Sequence, residues 1–125
     1  MYKTQMEAAR KGIITKEMEA VAKKEYRTAE EIRELVAKGQ VAICANRLHK
    51  CIEPNGVGSM LRTKINVNLG VSRDCKDHDI EMEKVRAAVD MGAEAIMDLS
   101  SHGNTQPFRQ KLVREIGRAS CREIV

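Results

Sequence analysis

Two apolar segments of this chain each run into small polar residues: LRTKINVNLG (61–70) and AEAIMDLSS (93–101). A helix-like stretch lies between them. Strand, helix and strand in that order make a βαβ unit, the crossover that parallel strands require. The polar residues are Asn66 and Asn68 in the first segment, and Asp98, Ser100 and Ser101 in the second. They fall at the carboxyl ends of the strands, where α/β folds keep their chemistry.

Alternation in KINVNL places Ile65, Val67 and Leu69 on one face and Lys64, Asn66 and Asn68 on the other. Asparagine is a poor strand former, so the second face is unusual. Either the two amides point into a polar cavity, where each can donate and accept, or they mark a strand end where Asn is simply common. Residues 93–99 form the next strand, and its AIM run is what a parallel strand covered on both faces shows. Between the strands, 72–79 is a polar connection. Ile80, Met82, Val85, Ala88 and Val89 then predict a helix over 80–91, with Gly92 positioned to end it. Thr105 is placed to cap a last helix, with Pro107 in its first turn and Phe108, Leu112 and Val113 facing inward.

Upstream, helix punctuation is regular. Thr4 with Glu7 reads as a capping box and Gly12 as that helix's end. Thr15 caps a second helix to about Glu25, and Thr28 with Glu31 opens a third that Gly39 ends. None of the three has an apolar face wide enough to be a core alone, so they are expected to wrap on something else. VAICA (41–45) reads as a strand or extended segment, and 46–59, rich in Pro, Asn and Gly, as loop.

Composition narrows the function classes. With 42% hydrophobic and 32% charged residues over 125 positions, the chain fits one ordinary globular domain. No apolar run approaches the ~18 residues of a spanning helix, and MYKTQMEAARKG has no apolar signal core, so no membrane partner and a cytoplasmic location are expected. A net charge of +4 raises a nucleic-acid partner. The basic residues, however, alternate with acids in KEMEAVAKKE and EEIRELVAKGQ, as on solvated helix faces with i,i+4 pairs. At 2% aromatics there is little to stack on bases, so no nucleic acid is expected. A small basic helical nucleic-acid module is kept as one alternative. A generic phosphate-binding α/β fragment using PNGVG and SSHGN is the other, although neither stretch matches a P-loop or GxGxxG pattern. Cys44, Cys51, Cys75 and Cys121 show no C-x-x-C spacing, and His49, His78 and His102 are not at zinc-ligand spacing. Free thiols and no metal ligands are expected.

The last stretch, EIGRASCREIV (115–125), resembles the translation of a sequencing-library adapter. The expectation is a natural frame interrupted near Arg114 and an artefactual tail after it. The other reading is an ordinary basic helix end.

Four strings, in order, carry a family resemblance: TQMEAARKGIITKEME, ELVAKGQVAICAN, LRTKINVNLGVS and EMEKVRAAVDMGAEAIMDLSS. Across about residues 4–113 the chain resembles the amino-terminal part of the phosphomethylpyrimidine synthase (ThiC) family of thiamine biosynthesis. The resemblance implies a non-standard radical S-adenosylmethionine enzyme, a carbon–carbon lyase. It converts 5-aminoimidazole ribotide to 4-amino-5-hydroxymethyl-2-methylpyrimidine phosphate, with formate and carbon monoxide released. It also implies a (β/α)8 barrel, a 4Fe-4S cluster on a carboxyl-terminal C-x-x-C-x-x-x-x-C motif, a zinc site on later barrel histidines and a homodimer.

On that resemblance, residues 1–60 are a helical extension and loop, and 61–114 are the first two βα units of an incomplete barrel. Two ribotide-binding positions carry over: Asn68, the second Asn of KINVN, and Met97 of IMDLS. Asn68 can hydrogen-bond a polar edge of the ribotide, and the Met97 thioether can pack on its ring. Read from the residues alone, Met97 is core packing. Asn66 and Asp98 adjoin these positions without a role from the family. No catalytic residue and no cluster or metal ligand is expected in this chain. Cys44 stands where the family usually has proline, and the loop RLHKCIEPNG is also atypical, which bears on the segment before the barrel. A barrel typically needs ~250 residues, so the chain alone is expected to lack synthase activity and to expose open strand edges.

Overall fold

A computed structural model describes residues 2–45 and 53–115. The chain divides into two units, whose described parts are 2–45 with 53–63, and 64–115.

The first unit holds α1 (Gln5–Arg10), α2 (Lys16–Glu25), α3 (Ala29–Ala37), β1 (Val41–Cys44) and β2 (Asn55–Gly58). Helix starts follow the hydroxyls. Thr15 Oγ1 accepts from the Met18 amide, and Thr28 with Glu31 completes a full capping box. At α1 the box is only half made. Thr4 accepts from the Glu7 amide, but the Glu7 carboxylate turns to the Lys3 amide at 2.8 Å and to Lys11 Nζ at 2.6 Å. The three helices do not need another body to wrap on. Ala9, Met18, Val21, Ala22, Ile32, Val36 and Val41 form one buried cluster, each narrow stripe completing the others. Charged faces point outward, with ion pairs such as Arg27–Glu31 and Lys38–Glu34 four residues apart.

The stretch read as loop contains a strand. β2 pairs antiparallel with β1, Val41 opposite Gly58 and Cys44 opposite Asn55. Its turn-like composition has a steric cause: at Gly58, φ +148°, a Cβ would overlap the Gln40 carbonyl. Pairing also engages PNGVG in a ladder, which removes it as a phosphate-cradling loop.

The second unit is β3 (Asn66–Leu69), α4 (His78–Asp90), β4 (Ala95–Asp98) and α5 (Gln106–Glu115). β3 and β4 pair in parallel, as the βαβ pattern requires, in the register Asn66–Ala95, Val67–Ile96, Asn68–Met97 and Leu69–Asp98. Asp77 caps α4, accepting from the Asp79 and Ile80 amides, so the helix starts two residues before the expected position. Leu69, Met82, Val85, Ala88, Ala93, Ile96, Phe108 and Leu112 form its core, with Val67 and Val89 against it. Ile80 and Ile65 are not part of it, at 45% and 62% exposed. Ile65 precedes the strand, and the inner stripe of α4 runs through Glu81, Val85 and Ala88 instead. Val113 is half-buried beside the buried Phe108 and Leu112.

Among the described residues the sheet has two strands and no barrel is closed. The helix-facing side is packed, whereas on the other side Asn66 and Asn68 are exposed and Ala95 and Met97 half-buried. The strand expected to be covered on both faces is, among the described residues, buried on one and half-buried on the other. No helix among the described residues is long and apolar enough to cross a membrane. The tail beyond residue 115, and Cys51, Cys121 and His49, lie outside the described residues.

Candidate functional site

The site is built at the carboxyl ends of β3 and β4. Side chains alternate along a strand, so Asn66, Asn68, Ala95 and Met97 share the side turned away from the core. Asn68 and Met97 are direct register partners, which places an amide and a thioether on one rung. Asn66 Nδ2 donates to Asn68 Oδ1 at 3.3 Å. That bond uses one acceptor position of Asn68 and leaves its own amide hydrogens directed elsewhere. Asn66 opens the paired strand and Asn68 lies within it, both on an exposed face.

Beyond the rung the two strands are tied by a polar clasp. The ladder continues through Leu99 N to Leu69 O at 2.7 Å and Ser101 N to Val71 O at 3.1 Å. Ser100 Oγ accepts from the Val71 amide at 3.1 Å and donates to Asp98 Oδ1. The same Asp98 oxygen accepts from the Ser100 amide at 2.8 Å, and Oδ2 accepts from Arg109 Nε of α5 at 2.8 Å. On the β3 side, the Gly70 amide donates to Glu81 Oε2 at 2.9 Å. Gly70 has φ +143°, and a Cβ there would lie 2.5 Å from the Ser100 nitrogen and 2.9 Å from the Leu99 carbonyl carbon. Only glycine allows the two strand ends to approach this closely.

Asp98 is 7% exposed and is held as a carboxylate. Burial pushes its carboxyl up, but the Ser100 hydroxyl, Arg109 and the Ser100 amide together outweigh that, and the net shift is downward. Its place on the helix-facing side separates it from the Asn68–Met97 rung. It shapes the strand end rather than the open face.

The residues missed by sequence reasoning are Glu81 and Arg109. Glu81 carried a legible signal, because it stands four residues before Val85 and seven before Ala88, an acid on the apolar stripe of α4. Arg109 carried none, since an arginine in the first turn of a helix is ordinary until the fold sets it against Asp98.

Among the described residues, no three Cys, His, Asp or Glu side chains converge as ligands for a metal ion. Cys44 is exposed, Cys75 is half-buried, and both are free thiols. These residues do not fit an iron–sulfur cluster or a divalent metal, and no chemical step is assigned to either on them.

Comparison with known proteins gives the lineage. A family model described as Radical SAM ThiC family matches residues 4–119. A phosphomethylpyrimidine synthase of Alkaliphilus oremlandii is 66% identical over 112 residues, covering 90% of this chain and 26% of the relative. Those of Clostridioides difficile and Clostridium botulinum are 65% and 61% identical over 112 residues, with the same coverage. The chain thus spans about a quarter of the length of the curated relatives it matches. With a family model across nearly all of it, this chain belongs to the Radical SAM ThiC family.

Proposed function

We propose that this chain is a segment of a phosphomethylpyrimidine synthase of thiamine biosynthesis, contributing the first two βα units of its (β/α)8 barrel. In this reading the open side of the sheet faces the barrel interior, and the Asn68–Met97 rung is part of the 5-aminoimidazole ribotide site. Asn68 donates a hydrogen bond to a polar edge of the ribotide, and Met97 packs on its flat ring without adding charge. The observation that carries the reading is the direct register of these two side chains on the face turned from the core. Similarity to the synthases covers both strands.

The remainder of such an enzyme closes the barrel. The 4Fe-4S cluster, S-adenosylmethionine, zinc and the homodimer contacts implied by the resemblance are assigned no residue here. On this reading residues 4–115 supply part of a substrate site and no cluster, and the expected outcome is that this segment purified by itself, given reductant and S-adenosylmethionine, yields no 5′-deoxyadenosine.

The site is tested in a chimera, with residues 4–115 replacing the matching segment of the Alkaliphilus oremlandii synthase. Titration with the ribotide should give a dissociation constant that Asn68→Ala raises by roughly fivefold to tenfold, the worth of one hydrogen bond. A chimera whose ribotide affinity is untouched by both Asn68→Ala and Met97→Ala overturns the reading.

A further inference from the structure

Among the described residues, the Asn68–Met97 rung belongs to a ladder of two strands of four residues each, carried on by the Leu99–Leu69 and Ser101–Val71 backbone bonds. A ladder that short is held weakly by its own backbone bonds. A shift of one residue would turn every side chain to the opposite face, burying Asn68 and exposing Leu69. Burial of Leu69 and Ile96 opposes such a shift, and a further restraint lies at the strand ends, where three observations meet around one residue. Ser100 Oγ is engaged on both sides, accepting from Val71 N after β3 and donating to Asp98 Oδ1 at the end of β4. The Ser100 backbone lies so close to Gly70 that a single Cβ would collide with it. Asp98 is in turn anchored to Arg109 of α5, so the serine bridges β3 to an element already fixed in the core.

We propose that Ser100 is a positioning residue of the ribotide site, holding Asn68 and Met97 in register by linking the end of β3 to Asp98. The proposal rests on the substrate reading above and deepens it: Ser100 touches no ligand and acts through the rung two residues before Gly70. Its hydroxyl is spent on Val71 and Asp98, so it takes no part in the chemistry. It sets where the Asn68 amide stands relative to Met97, and an ångström of misplacement at such a site has large effects on binding and rate.

The test is a double-mutant cycle in the chimera, read as ribotide affinity by isothermal titration. Ser100→Ala should weaken binding by roughly tenfold. In an Asn68→Ala background the same change should cost less than about twofold, because the group being positioned is gone. Ser100→Thr, which keeps the hydroxyl, should bind within about threefold of the parent. Ser100→Cys, close in shape and far weaker as a hydrogen-bonding group, supplies the same cycle should the alanine variant melt below the assay temperature. Fully multiplicative losses in the double variants, or unchanged affinity in the folded Ser100 variants, overturn the proposal. If Asn68→Ala and Met97→Ala both leave binding unchanged while Ser100→Ala does not, the substrate reading fails and the positioning role falls with it. If Asn68→Ala weakens binding and the Ser100 variants do not, the substrate reading stands and only the positioning role is lost.

Discussion

The amide of Gly70 donates to Glu81 Oε2 across 2.9 Å, joining the residue that follows β3 to a side chain in the first turn of α4 that is 1% exposed. The same carboxylate takes Lys84 Nζ at 2.5 Å on its other oxygen. A carboxylate on the apolar stripe of a helix is unfavourable unless its oxygens are satisfied, and here both are. Glu81→Ala should therefore cost about 1–3 kcal/mol, since it strands the Gly70 amide in a part-buried site. Glu81→Gln, which keeps an acceptor for that amide, should cost less. Urea unfolding followed by far-ultraviolet circular dichroism reads the difference, the chain having no tryptophan. An alanine variant as stable as the parent would remove Glu81 from this role.

Gly70 makes a second demand. A Cβ there meets the Ser100 nitrogen at 2.5 Å and the Leu99 carbonyl carbon at 2.9 Å, and both are backbone atoms that cannot swing aside. Gly70→Ala also forces a side chain onto φ +143°. The expected loss is about 2–3 kcal/mol, concentrated at the strand ends. Hydrogen exchange should accelerate at the Leu99 and Ser101 amides, which bond Leu69 and Val71 across the gap. Unchanged protection at those two amides would show that the strand ends tolerate the extra carbon.

These two residues also mark where the sequence could be read and where it could not. The parallel pair, the crossover helix and the starts of α2 and α3 follow from local signals: strand alternation, helical spacing and a hydroxyl before each helix. Asn68 and Met97 could be found by motif, and their shared rung could not, since register is a property of two strands together. β2 was hidden because its glycines answer to Gln40 and other atoms distant in sequence, while locally they spell a turn. Glu7 shows the same limit at smaller scale. The T-x-x-E pattern specifies who accepts from the Glu7 amide, but nearby Lys3 and Lys11 decide where its carboxylate goes. Arg109 against Asp98 is a tertiary pairing with no local trace.

In the first unit, the two threonine caps should differ in weight. Thr28 both accepts from the Glu31 amide and has its own amide bound by the Glu31 carboxylate at 2.8 Å. Thr4 makes only the first of these bonds, and its helix is six residues long. Thr28→Ala should cost about 1 kcal/mol, and Thr4→Ala about half that. The comparison is made by thermal unfolding of both single variants. Equal losses would mean that the reciprocal Glu31 bond contributes nothing measurable.

The Asp98–Arg109 pair predicts an acid limb to stability. The folded carboxyl lies below its ordinary value, because the Ser100 and Arg109 hydrogen bonds overcome the burial that would raise it. A group depressed on folding stabilises fully above its unfolded pKa, about 3.9 for aspartate, and that contribution is lost as pH falls through the lower folded value. Stability should thus be unaffected by this group above about pH 5 and should decline below about pH 4. Arg109 is 41% exposed at its side chain, so solvent screens part of the attraction. Asp98→Asn removes the titration: the variant should be less stable than the parent near neutral pH, with the gap narrowing as the parent's carboxylate protonates. Melting temperatures of parent and variant across pH 2.5–7 test this. A gap that stays constant down to pH 2.5, with acid unfolding following other carboxylates alone, would show that the ionised form of Asp98 is not what the strand end depends on.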